Sequence, residues 1–200
     1  MNVTSFDTRL QLPFSCIVCG LSNNGKSYFI KMLLENCKEV LSKLPENIVW
    51  IYSCWQPLYD DLMTKINVNF IQGIPDSLCD DELFPPSKTN LVIIDELMES
   101  ASKNEEVEKA FTKYTHHRNL SVIYLVQNLF FQGKSSRTIN LNTNYMVLFK
   151  NPRDKLQISV LAQQMYPSNR KYFLECFQDA TTRPYGYLFV DLKSNTPEDF

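Results

Sequence analysis

The run Gly20-Leu21-Ser22-Asn23-Asn24-Gly25-Lys26-Ser27 has the spacing G-x-x-x-x-G-K-[ST], which suits a loop closing around a polyphosphate. Such a loop turns successive backbone N–H groups toward the anion, and the helix that follows adds a favourable dipole. Gly20 and Gly25 allow backbone angles and a close approach that a Cβ would obstruct. Ser22, Asn23 and Asn24 line the turn between them. Lys26 can set its ammonium between the β- and γ-phosphates, and Ser27 can offer its hydroxyl to Mg²⁺.

Leu91-Val92-Ile93-Ile94-Asp95-Glu96 is the second chemical element. An apolar strand ending in two acids puts a carboxylate at the edge of a sheet, beside the phosphate loop. Asp95 is then the metal-side acid, and Glu96 is placed to orient or deprotonate a water attacking the γ-phosphate. The plainer alternative is that the two acids cap a following helix. Gln127 ends a further apolar strand, Leu125-Val126-Gln127, where a polar side chain can touch the γ-phosphate or the attacking water. An arginine should neutralise the charge that develops on transfer, often from a neighbouring subunit. Arg118 is the first candidate for that finger, Arg137 the second and Arg153 the third.

These groups need strands and helices in alternation to hold them. Phe14 to Cys19 reads as an apolar strand before the phosphate loop, and residues 26–43 as a helix after it. Strands are expected at 47–53, 68–71, 91–94, 121–126, 145–149 and 185–191. Helices are expected at 55–66, 75–84, 103–118, 154–166 and 168–180. That alternation predicts an α/β fold, a mainly parallel central sheet flanked by helices, with one domain spanning 1–200. Its core runs from about 13 to 191, and 192–200 form a polar tail. Residues 128–137 are expected as a loop whose aromatics and cations suit a nucleic-acid backbone, although Phe130 and Phe131 serve equally well as core residues.

Composition narrows the class further. A chain of 200 residues, 44% hydrophobic and 21% charged, can bury a substantial core and has no apolar run of membrane-spanning length. No secretory signal pattern is present, so an intracellular location is expected. A net charge of −2 excludes a uniformly basic nucleic-acid coat but permits a local basic strip. Cys16 and Cys19 have C-x-x-C spacing, yet an odd separation on a strand sends their side chains to opposite faces. The six cysteines therefore read as free thiols rather than zinc ligands.

GLSNNGKS, LVIIDE and HHRNLSVIYLVQNLFFQG, followed by NTNYMVLFKNPRD, together resemble the FtsK/HerA superfamily of P-loop ATPases, of the ASCE type. More narrowly they resemble the poxvirus-type viral genome-packaging ATPases also found in Polinton-like and adintovirus-like elements. The resemblance covers about residues 13–191. It implies Lys26 and Ser27 as the phosphate-loop pair, Asp95 and Glu96 as the metal and water acids, and Gln127 as the sensor. It implies ATP and Mg²⁺ as cofactors. It also implies a hexameric or similar ring that moves double-stranded DNA into a viral capsid, at an assembly site in the host nucleus or cytoplasm. The rivals are a superfamily 3-like viral replicative helicase, whose sensor strand ends in asparagine, a nucleotide kinase, and a nucleotide-gated binding protein with little turnover.

Overall fold

The computed structural model describes residues 7–95, 101–130 and 134–196. Seven strands form one sheet: β1 Ser15–Cys19, β2 Asn47–Tyr52, β3 Asn69–Gln72, β4 Asn90–Asp95, β5 Leu120–Val126, β6 Tyr145–Phe149 and β7 Tyr187–Asp191. Their order is β3-β2-β4-β5-β1-β6-β7, and every pairing is parallel except β6 with β7. The expected α/β architecture is therefore present, with an antiparallel strand added at one edge. β1, β4, β5 and β6 are buried along their whole length. That double-sided burial is why they read as unbroken apolar runs rather than as alternating ones.

Side chains from alternate strand positions feed two apolar layers. Ile17, Val92, Ile94, Val122 and Tyr124 belong to one, with Val107, Phe111 and Phe173 from the covering helices. Cys16, Val18, Ile93 and Ile123 belong to the other, with Ile30, Leu33, Tyr59 and Leu62 above them. Cys16 and Cys19 fall in different layers, as the strand period requires. Among the described residues no helix is long and apolar enough to cross a membrane.

Helices α1 Lys26–Glu35, α2 Cys37–Val40 and α3 Pro57–Lys65 lie in the first half of the chain. One helix was expected over 26–43, but the chain breaks at Asn36. There the side-chain amide bonds to the Met32 carbonyl at 2.7 Å, taking an acceptor at the helix end. Residues 75–84 form turns rather than the expected helix. Three of their backbone N–H groups go to side chains: Cys79 to Ser77, Glu82 to Asp80, and Leu78 to Glu106 across the fold.

In the second half, α4 Ala101–Lys109 continues through a π-helical stretch, Ala110–Tyr114, into α5 Thr115–His117. Then come α6 Lys134–Leu141, α7 Leu156–Met165 and α8 Arg170–Ala180. Helix α6 corrects the expected 128–137 loop. It is short and polar, buries Ser136 and Ile139, and is tied down where Asn140 donates to the Leu129 carbonyl at 2.8 Å. The last strand starts at Tyr187 rather than 185, because Tyr185 has a φ of 61° and cannot continue an extended run.

Candidate active site

β5 lies between β1 and β4, so the carboxyl ends of three neighbouring strands bring the phosphate loop, Gln127 and Asp95 to one edge. The register pairs Cys19 with Val126 and Asp95 with Leu125. Gly20 stays attached to the sheet, its N–H donating to the Val126 carbonyl at 3.0 Å. The chain then turns through Asn23, with φ 64°, and Gly25, with φ 93°, before α1 begins. Phe149, at the end of β6, presses on this turn: a Cβ on Gly20 would lie 2.7 Å from the Phe149 Cβ. The loop can pass only because residue 20 has no side chain.

Lys26 is 5% exposed, and its ammonium donates to the Gly20 carbonyl at 2.7 Å and the Leu21 carbonyl at 3.0 Å. A buried ammonium bonded to two carbonyls of this loop suits an anionic guest, whose charge offsets its own. Its field reaches Cys19, whose thiol is pushed up to about 12 by burial although the Lys26 charge draws it partly back. One residue on, the Ser27 hydroxyl donates to Asp95 Oδ2 at 3.2 Å. Tyr59, fully buried on α3, donates its hydroxyl to the same oxygen at 2.8 Å. A hydroxyl and a carboxylate in contact form the hard-oxygen pair that Mg²⁺ prefers, so the residues fit that ion. Gln127 Nε2 donates to Ser22 Oγ at 3.2 Å, joining the end of β5 to the phosphate loop. Asn24 Nδ2 donates to the Lys150 carbonyl at 2.6 Å, joining the loop to the turn after β6.

Lys26, Ser27, Asp95 and Gln127 are thus brought together. Glu96 lies outside the described residues, as do residues 131–133 of the expected DNA-contact loop. Arg118 is not near this edge. It precedes β5, whose 7 residues separate it from Gln127 by about 20 Å. There it is paired with Asp81 and donates to the Cys79 carbonyl at 3.1 Å. Arg137 is carried by α6, and Arg153 by the turn after β6, where its backbone N–H is held by Asn151.

Sequence reasoning missed Tyr59, Phe149, Tyr185 and Gln157. The Gln157 side chain accepts from the Leu129 N–H at 2.7 Å and donates to Asn128 Oδ1 at 3.0 Å and Asp154 Oδ2 at 2.7 Å. It locks the segment after Gln127 onto α7. The signal available was weak, a glutamine in second place in a helix where apolar residues surround it.

No protein-family model matches the chain, and no curated protein does. The structure is similar to that of the genome packaging NTPase B204 from Sulfolobus turreted icosahedral virus 2, solved in complex with ATP-gammaS. The TM-score is 0.55 at 15% identity, with 92% of this chain and 95% of that chain covered. The chain has the fold of an ASCE-type P-loop NTPase. Weaker likenesses reach the cytoplasmic domain of the Thermomonospora curvata type VII secretion ATPase EccC and the Legionella pneumophila ATPase DotB. For EccC the TM-score is 0.42 at 14% identity, covering 66% of this chain and 20% of that one. For DotB it is 0.40 at 13% identity, covering 82% and 52%.

Proposed function

We propose that this chain is an ATP-hydrolysing motor subunit that drives double-stranded DNA into a viral capsid. The observation that carries the reading is the meeting of Lys26, Ser27 and Asp95 at one sheet edge, with Gln127 against the same loop. Likeness over nearly the whole chain to a protein that is itself a genome packaging NTPase supports the biological setting. The narrower kinship to Polinton-like and adintovirus-like elements rests on the sequence resemblance.

In this mechanism the loop from Gly20 to Gly25 wraps the phosphates, and Lys26 exchanges its carbonyl partners for phosphate oxygens. Ser27 and Asp95 would hold Mg²⁺, which when bound supplies positive charge to the phosphate oxygens. Glu96, next to Asp95 in the chain, takes the proton from the attacking water. Gln127 lets go of Ser22 when the γ-phosphate arrives and passes its state to Asn128 and α7. Arg118, far from its own subunit's loop, completes the site of a neighbour in a hexameric or similar ring. Assembly on DNA and capsid proteins would take place inside the host cell. Gln127 rather than Asn128 faces the phosphate loop, while Asn128 is engaged by Gln157. That arrangement favours the translocase over the helicase rival.

Lys26→Ala should abolish turnover, and the parent protein's ATPase rate should rise faster than linearly with its concentration and rise again with double-stranded DNA. A Lys26→Ala protein that hydrolyses ATP at the parent rate would refute the site. A linear rate indifferent to DNA would leave an ATPase but remove the motor.

A further inference from the structure

A recess of about 510 Å³ opens on the far side of Gly25 from the Asp95 edge, within the range of about 300–1,000 Å³ usual for small-molecule sites. Its walls are Tyr28 and Met32 from the outer face of α1, and Tyr185 and Tyr187 around the start of β7. All four are partly open to solvent, at 57%, 40%, 71% and 41% exposure. So much apolar surface in one place calls for an occupant. The floor is preset. Phe29 packs edge-on to Tyr187 at 4.9 Å and to Phe149 at 6.4 Å, and Phe149 meets Tyr187 at 5.5 Å.

Tyr185 is the most unusual element. It holds a left-handed backbone, φ 61°, which a bulky side chain adopts at a cost. Gly186 fixes that turn against the end of α8, since a Cβ there would lie 2.4 Å from the Ala180 carbonyl oxygen. The turn brings the Tyr185 ring over the phosphate loop, 3.3 Å from where a Gly25 Cβ would be. A ligand whose phosphates occupy the loop therefore finds an aromatic wall one residue away.

We propose that this recess holds the nucleotide's base by stacking and apolar contact alone, so that the protein accepts adenine and guanine triphosphates without discriminating between them. The proposal rests on the phosphate-loop reading above and extends it to substrate class. Adenine and guanine differ in the donors and acceptors on their edges, and rejecting one needs a fixed polar group. Among the described residues the recess offers phenylalanine and methionine, which read nothing, and tyrosine hydroxyls, which rotate to donate or accept. Among the described residues no carboxylate, amide or guanidinium side chain lines it. Stacking area, by contrast, does separate purines from the smaller pyrimidines.

The test is equilibrium binding to the full chain, with magnesium, of ATP, GTP, CTP and inorganic tripolyphosphate. ATP and GTP should agree within about threefold, and CTP should bind more weakly by about fivefold or more. Tyr185→Ala should weaken ATP and GTP alike by about tenfold, leave tripolyphosphate unchanged and lose the preference for purines, while Tyr185→Phe keeps parent behaviour. A hundredfold preference for ATP over GTP overturns the proposal. So does a Tyr185→Ala protein that loses tripolyphosphate as much as ATP, since Tyr185 would then shape the loop rather than meet the base. So does one whose affinity for ATP is unchanged, which leaves the recess to a neighbouring subunit. If the parent binds no tripolyphosphate, the phosphate-loop reading itself fails, and this inference fails with it.

Discussion

Asp95 receives two hydroxyls on one oxygen, from Ser27 at 3.2 Å and Tyr59 at 2.8 Å, and the second is wholly buried. Hydroxyls donated to a carboxylate both stabilise it and fix its direction, so Tyr59 aims the acid that we propose holds Mg²⁺, without itself reaching substrate. Tyr59→Phe keeps the ring and its packing against Trp50 and Phe70 but removes the donor. Denaturant unfolding should show a loss of about 1.5–3 kcal/mol, the usual worth of a hydrogen bond to a charged group. The magnesium concentration for half-maximal hydrolysis should rise about tenfold, as when an outer partner of a metal ligand is lost. An unchanged magnesium dependence, with or without the stability loss, would reduce Tyr59 to a core residue. Lys26, Ser27, Asp95 and Gln127 were legible because each ends or follows an apolar run at a spacing tied to phosphate chemistry. Tyr59 was not, because nothing local marks a tyrosine 36 positions away as a partner of Asp95.

At the scale of elements, the end of β5 is held from both sides. Gln127 reaches the phosphate loop through Ser22, and the next two residues are gripped by Gln157 at the start of α7. Gln157→Leu fits the space but strands the buried Leu129 N–H, which should cost about 1–3 kcal/mol. If β5 passes nucleotide state to α7, kcat should fall while KM for ATP stays put. Equal losses in both would mean that Gln157 supports the fold and no more. Acid supplies a second readout. The Gln157 side chain, with the Gln157 and Leu156 N–H groups, holds the Asp154 carboxyl below its ordinary range. A depressed folded-state value contributes stability that is full above the ordinary carboxylate range and is lost as pH falls through the depressed one. Stability of the Gln157→Leu protein should therefore fall less steeply on acidification than that of the parent. The strands could be read in advance because burial on both faces leaves long apolar runs. The turns at 75–84 and helix α6 could not, because side chains decide them. Ser77 and Asp80 take nearby N–H groups that a helix would use, and Glu106 takes that of Leu78 from 28 residues away. Asn140 ties the polar α6 to the Leu129 carbonyl.

For the whole molecule the decisive fact is that Arg118 stands at the amino ends of the strands and the phosphate loop at the carboxyl ends. An arginine there can serve only another subunit's nucleotide, and to do so it must leave Asp81. That exchange is cheap, since the Asp81 side chain is 68% exposed and surface ion pairs are worth about 0–1 kcal/mol. A mixing experiment separates this role from a purely structural one. Lys26→Ala and Arg118→Ala proteins should each be inactive alone. Mixed one to one, an active interface needs an Arg118→Ala subunit holding nucleotide and a Lys26→Ala subunit lending its arginine. Random assembly produces that order at about one interface in four, so hydrolysis should return to about a quarter of the parent rate. A mixture as inactive as its components would show that Arg118 lends nothing to a neighbour and merely ties β5 to the 75–84 turns. The finger would then pass to Arg153 first. It alone among the remaining candidates sits in the turn whose Lys150 carbonyl already touches the phosphate loop.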